Sequence, residues 1–255
     1  MTPRTTAPSL PADLEAGLKR LKLSTIRAQA PEVLLTAKTQ RWAPEETLRV
    51  LVELEIQSRD ASNTRNRMTA ARFPVVKTFD EFHLADSSIP RASHDYLITL
   101  DWIGRADNLC LVGPAGTGKT HYLIALGRAD VEHGHKVRYF TAIELVEHLY
   151  RAVADNTVGR AIETVCRNDL IIIDEIGFAP LDHTGCQLMF RLIAAAYERR
   201  SVAIASHSPF EAWGRFLPDQ PTAVSLLDRL CHHAHIITTT GDSYRLTHRT
   251  TGGNA

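Results

Sequence analysis

The apolar run Leu109-Cys110-Leu111-Val112 leads directly into Gly113-Pro114-Ala115-Gly116-Thr117-Gly118-Lys119-Thr120, and a helix-compatible segment follows. The eight residues satisfy G-x-x-x-x-G-K-[S/T] at every required position. This succession constrains the fold more than anything else in the chain, because such a loop works only between a buried strand and a helix N-terminus. There the glycines let backbone N–H groups turn inward around a phosphate, and the helix dipole favours an anion. The pattern predicts that Gly113, Pro114, Ala115, Gly116, Thr117, Gly118, Lys119, Thr120 and the adjoining His121 bind ATP. Lys119 is expected to reach the β- and γ-phosphates, and the Thr120 hydroxyl to sit on Mg²⁺.

A second apolar run, Asp169-Leu170-Ile171-Ile172-Ile173-Asp174-Glu175, reads as a short buried strand ending in two carboxylates. Alone, such a pair is more often a strand end meeting solvent. Downstream of a phosphate loop it reads as the Mg²⁺-holding aspartate, Asp174, followed by the base that polarises the attacking water, Glu175. A carboxylate beside the metal aspartate suits hydrolysis. A small-molecule kinase would need an acceptor pocket that no segment provides.

The chain has 255 residues, with 29 Lys and Arg against 29 Asp and Glu. Global attraction to a polyanion is therefore excluded, and any contact with nucleic acid must come from a local patch. No apolar run approaches the length of a membrane span, and MTPRTTAPSLPADL lacks the apolar core of a secretion signal. Cys110, Cys166, Cys186 and Cys231 are scattered, which indicates neither a zinc site nor a disulfide framework. The expected setting is the cytoplasm, without a membrane.

Residues 1–11 read as a disordered start and 12–77 as a helical module. Within that module, Leu14 to Ala37 carries leucines largely at helical spacing, and Pro44-Glu45-Glu46 signals a second helix start. From Arg59 to Lys77 the charge turns basic. Arg65, Arg67 and Arg72 there are either a solvated helix face or a surface for the phosphate backbone of DNA. Thr78 to Phe82 reads as a linker. Residues 78–250 alternate helix and strand, with strands at Val137–Thr141, Leu170–Asp174 and Val202–Ser206, which predicts a mostly parallel sheet flanked by helices. Residues 251–255 read as a flexible tail.

Ala71-Arg72-Phe73-Pro74, the phosphate loop, Asp174-Glu175-Ile176-Gly177-Phe178, Tyr197 to Ser201, Pro209 to Trp213, Leu227-Asp228-Arg229-Leu230, His232-His233-Ala234 and Gly241 to Arg245 occur in one order. In this the chain resembles the IstB-type helper ATPases of bacterial insertion sequences, a branch of the AAA+ proteins close to DnaC and DnaA. The resemblance implies a P-loop AAA+ fold preceded by a small all-helical domain. It implies ATP hydrolysis with Mg²⁺, ATP-dependent self-assembly on duplex DNA, and cooperation with a cognate transposase through the helical module. It also makes Arg229 an arginine finger entering a neighbouring subunit's site, and Arg245 a sensor-2 arginine on the nucleotide's phosphates. Without it, Arg229 and Arg245 read as surface charges.

Two positions depart from the family pattern. Where Thr-Ser-Asn is usual at sensor 1, Ala205-Ser206-His207 stands here, placing an imidazole where it donates one hydrogen bond to a γ-phosphate or water. Where an Arg usually precedes Tyr197, the residue is Ala196. The histidines His232, His233 and His235 are spaced so that three imidazoles do not converge, and no acidic partner adjoins them, so no metal site is expected there. Trp213 and Phe216 are expected to pack. The rival readings are a DnaC-like helicase loader, an ATP-bound structural adaptor without turnover, and a small-molecule kinase.

Overall fold

The structure is a computed structural model that describes residues 9–241 together with 243 and 244. The expected disordered start up to residue 8, the tail and Arg245 lie outside the described residues. The backbone divides into two compact units between Asn66 and Arg67.

The first unit is helical. It contains α1 (Ala12–Arg20), α2 (Ser24–Gln40) and the greater part of α3 (Pro44–Ala71), whose last turns belong to the second unit. Asp13 and Glu15 in the first turn of α1, with Lys19 and Arg20 in its last, complement the helix dipole. The sequence suggests one helical stretch from Leu14 to Ala37, but the chain breaks between α1 and α2, where Lys22 adopts φ 56°. The residue before α2 is Leu23, which has no capping side chain, and the cap comes from α3 instead. Glu55, 5% exposed, accepts from the N–H groups of Thr25 and Ile26 at 2.9 and 3.0 Å and from Arg59 at 2.9 Å. A carboxylate on those orphan N–H groups satisfies them and opposes the dipole.

The second unit continues with a 3₁₀ turn (Leu84–Asp86), α4 (Arg91–Leu97), α5 (Asp101–Gly104), β1 (Asn108–Val112), α6 (Lys119–Glu132) and β2 (Val137–Thr141). Then come α7 (Ala142–Ala154), α8 (Val158–Val165), β3 (Leu170–Ile176), α9 (His183–Ala196) and β4 (Ser201–Ser206). A second 3₁₀ segment (Phe210–Arg215), α10 (Gln220–Cys231) and β5 (Ala234–Thr238) come next among the described residues. The five strands form one parallel sheet in the order β2-β3-β4-β1-β5.

Burial on both faces explains the unbroken apolar strands. In β3, Ile171 and Ile173 enter one core with Leu145, Leu149, Leu192 and Leu226. Leu170 and Ile172 enter the other with Leu123, Ile124, Leu126 and Trp102. Each buried Leu or Ile stabilises the fold by roughly 1.5–3 kcal/mol. Helix starts are set by local polar chemistry. Thr141 and Glu144 form a reciprocal capping box on α7, Asp182 caps α9 through the Gly185 N–H, and Asp219 caps α10 through that of Thr222. Trp213 and Phe216 are 1% and 7% exposed and pack as expected. The sequence reading passed over α4, α5 and β5.

Candidate functional site

The C-terminal edge of the parallel sheet is where a fold of this kind binds ligands. Three strand ends converge there. β1 stops at Val112, residues 113–118 form a loop, and Lys119 opens α6 with Gly118 as its cap at φ 87°. Gly113 and Gly116 have φ 152° and 84°, and a Cβ on Gly113 would lie 2.1 Å from the Thr239 carbonyl oxygen. Thr239, fully buried, donates its N–H to the Val112 carbonyl at 2.7 Å, and its hydroxyl lies 2.8 Å from that of Thr117. The segment after β5 therefore holds the loop's shape.

The Lys119 ammonium donates to the carbonyls of Gly113 and Pro114 at 2.7 and 2.5 Å and to the Thr117 hydroxyl at 3.3 Å. Burial lowers its pKa, with Asp174 pulling the other way. Asp174, 2% exposed, accepts from the Tyr139 hydroxyl and from the Glu175 N–H, each at 2.8 Å. Glu175 is exposed at φ 59°, where the pairing of β3 with β4 shifts register between Ile173 and Ile176. The bulge turns consecutive carboxylates in different directions, one fixed inward and one free toward solvent.

The phosphate loop from Pro114 onward, Thr120, His121, Asp174, Glu175 and His207 all line one cavity of about 880 Å³. His207, exposed, follows the end of β4. His121 Nε2 lies 3.0 Å from the Thr78 carbonyl oxygen, and its ring meets Phe82 edge-on at 5.2 Å. The stretch read as a linker, Thr78 to Phe82, forms part of one wall: Glu81 and Phe82 line the cavity, joined by His83 and Ser88 just beyond it, while Phe79 and Phe82 pack against Tyr122 at 5.4 and 5.3 Å. The residues fit ATP with a hard divalent cation. Inward-turned glycines, an ammonium, a hydroxyl and a rigid carboxylate face one space large enough for a nucleotide.

Other expected residues lie apart from this cavity. Arg229, on α10, does not line it; its guanidinium donates to the Ser225 carbonyl at 2.9 Å and sits 5.1 Å over the Phe190 ring. Arg65 donates to the Ser62 hydroxyl at 2.9 Å in the first unit, whereas Arg67 and Arg72 belong to the second. Arg72 meets charges that the sequence did not group with it. Burial and then the Arg72 charge lower the pKa of Arg138, whose guanidinium lies 4.9 Å over Phe140 and donates to the Ala70 carbonyl at 2.8 Å. His148, stacked on the same ring at 6.0 Å, is lowered by burial first and by Arg138 and other arginines after it. Tyr139, Thr239, Phe82 and Arg138 are the residues that sequence reasoning missed.

Fold and site together define an AAA+-type P-loop nucleotide-binding protein. The chain belongs to the IstB-like ATP-binding protein family, whose pattern it matches over residues 16–252. It is 32% identical over 242 residues to a Pseudomonas aeruginosa protein named for insertion sequence IS21 and for ATP binding, covering 94% of this chain and 91% of that one. It is also 32% identical over 228 residues to a protein so named for insertion sequence IS5376 in Geobacillus stearothermophilus, with 89% and 91% covered. Among solved structures it resembles AMPPCP-bound DnaA from Aquifex aeolicus, with a TM-score of 0.53 at 18% identity over 65% of this chain. The chain spans half the length of that structure, and the likeness is one of fold.

Proposed function

We propose that this protein is an ATP-dependent, DNA-binding transposition helper that assembles on duplex DNA and recruits a cognate transposase. The observation that carries the reading is the convergence of Lys119, Thr120, Asp174, Glu175 and His207 on one cavity. The names of its relatives, which join ATP binding to insertion sequences, support the biological setting.

The loop N–H groups and Lys119 bind the phosphates. Thr120 and Asp174 would hold Mg²⁺, which when bound neutralises charge on the β- and γ-phosphates. Glu175 orients a water toward the γ-phosphorus and takes its proton. The new P–O bond forms as the bond to the bridging oxygen breaks, giving ADP and phosphate. His207 donates a hydrogen bond to the γ-phosphate or the water, and Arg245 contacts the phosphates in its own subunit.

Arg229 acts in a neighbouring subunit, a reading supported by its place outside its own cavity. To do so it leaves Ser225 and Phe190. The helical module, residues 12–77, engages the transposase, and Arg65, Arg67 and Arg72 contact the DNA backbone, with little sequence preference and strong salt dependence. The setting is cytoplasmic; among the described residues no helix is long and apolar enough to cross a membrane.

The test is sedimentation of the protein with long random-sequence duplex, with and without ATP, beside Arg229→Ala. ATP-dependent growth of a large complex, lost in the variant, is the expected result. Assembly only on single strands would point to a helicase loader instead.

A further inference from the structure

Away from the nucleotide cavity, the fold joins two short segments that are distant in sequence. Tyr197 and Glu198 follow the end of α9, and His232 and His233 lie between α10 and β5. One ligating atom each of Glu198, His232 and His233 lies within 4.8 Å of the other two, and all three residues are exposed. His233 Nε2 is 3.7 Å from Glu198 Oε1, and the two imidazole centroids are 4.1 Å apart.

Spacing along the chain provides no reason to expect a metal here, since no carboxylate adjoins the histidines. The chain crossing supplies one. His235 takes no part: its Nε2 lies 3.8 Å from Asp107, and its ring is tilted against Tyr96 with centroids 4.7 Å apart. The Tyr197 hydroxyl lies 2.9 Å from His232 Nδ1, a contact that an ion bound through Nε2 would leave in place. An outer partner of this kind fixes the orientation of a ligating histidine.

We propose that Glu198, His232 and His233 form a binding site for a divalent transition-metal ion of the zinc class. Two imidazoles and one carboxylate suit Zn²⁺, Co²⁺ or Ni²⁺, whereas Mg²⁺ selects oxygen ligands, so this site differs in chemistry from the one containing Asp174. A tetrahedral ion with bonds of about 2.0–2.1 Å places its donors about 3.3 Å apart. The 3.7 Å pair reaches that spacing by small rotations of exposed side chains. Three protein ligands leave one position for water or for a side chain of a second copy. The bound ion ties the end of α9 to the end of α10, the helix that bears Arg229.

Untagged full-length protein, titrated with ZnCl₂ by calorimetry and with Co²⁺ by visible absorption, tests the proposal. The expected result is saturable binding of one ion per chain, accompanied by a Zn²⁺-dependent rise in Tm. Glu198→Gln and His233→Ala should weaken binding at least tenfold, Tyr197→Phe about tenfold, and His235→Ala should leave it unchanged. One ion per two chains, abolished by the same substitutions, also supports the ligand set, with a second copy completing it. Absence of saturable binding, equal affinity in Glu198→Gln and His233→Ala, or loss in His235→Ala alone overturns the proposal. Because Glu198 and His233 are exposed and Tyr197→Phe removes only a hydroxyl, the variants are expected to fold, which circular dichroism verifies.

Discussion

The Tyr139 hydroxyl donates to Oδ2 of Asp174 over 2.8 Å, while Oδ1 of the same carboxylate accepts the Glu175 N–H over an equal distance. β2 and β3 run side by side in register, so a tyrosine on the edge strand orients the carboxylate assigned to the cation. Burial raises the Tyr139 pKa, and the Asp174 charge raises it further, which keeps the phenol protonated as a donor. Tyr139→Phe should cost about 1 kcal/mol of stability. It should also raise the Mg²⁺ concentration needed for half-maximal nucleotide binding about tenfold, read with a fluorescent ATP analogue. A purely packing role for the hydroxyl would leave the Mg²⁺ dependence unmoved.

Glu175 separates strain from chemistry. At φ 59° it occupies a region that costs a non-glycine residue roughly 1–2 kcal/mol. Glu175→Gln should reduce ATP turnover at least ~100-fold with little change in ATP affinity. Glu175→Gly should lose turnover as well and yet melt at a higher temperature, by about 1 kcal/mol of relieved strain. Wild-type turnover in the Gln variant would leave the structural-adaptor reading standing.

Two glycines make a matched pair for a thermal melt. Gly113→Ala forces a methyl within 2.1 Å of the Thr239 carbonyl oxygen, whereas at Gly159, in α8, nothing lies within 4 Å of an added Cβ. The first substitution should lower stability by more than about 2 kcal/mol and abolish nucleotide binding. The second should raise stability by about 0.5–1 kcal/mol. Nucleotide binding retained in Gly113→Ala would refute the role given to the contact with Thr239.

Asp130, at the end of α6, is fully buried, and its Oδ2 has no hydrogen-bond partner among the described residues. Burial, with a smaller push from the Asp169 charge, raises its pKa to about 6, against the pull of His135 and His133. The folded state therefore binds more protons than the unfolded chain between the ordinary carboxyl value and pH 6. Stability falls as pH rises through that window, and the full cost is present above it. Asp130→Asn should thus stabilise the protein by about 1–3 kcal/mol at pH 7.5, with the gain vanishing near pH 4, as urea titrations at both pH values would show.

The β1–loop–α6 unit and the apolar β3 were legible because their signals are local. A glycine pattern, a lysine and a run of isoleucines each sit within a few consecutive residues. Tyr139, Thr239 and Arg138 were not, because their partners are set by strand pairing rather than by sequence neighbours. The break at Lys22 was hidden because the carboxylate capping α2 is Glu55, on another helix. Phe79 and Phe82 read as linker because a short irregular segment has no period to reveal that it faces Tyr122. The histidines were read without Glu198 for the same reason: the chain crossing that joins them leaves no trace in spacing.

The contact between Thr117 and Thr239 spans 122 positions, and that between Val112 and Thr239 spans 127. A ribosome delivers the glycine-rich loop long before it delivers the strand and threonine that shape it. While the intervening helices are being made, β1 lacks both of its neighbours, β4 and β5. An emerging chain therefore has no finished pocket to offer ATP, and the nucleotide can reward only a nearly completed second unit. Synthesis and ligand capture are thereby kept in sequence by the order of strands alone.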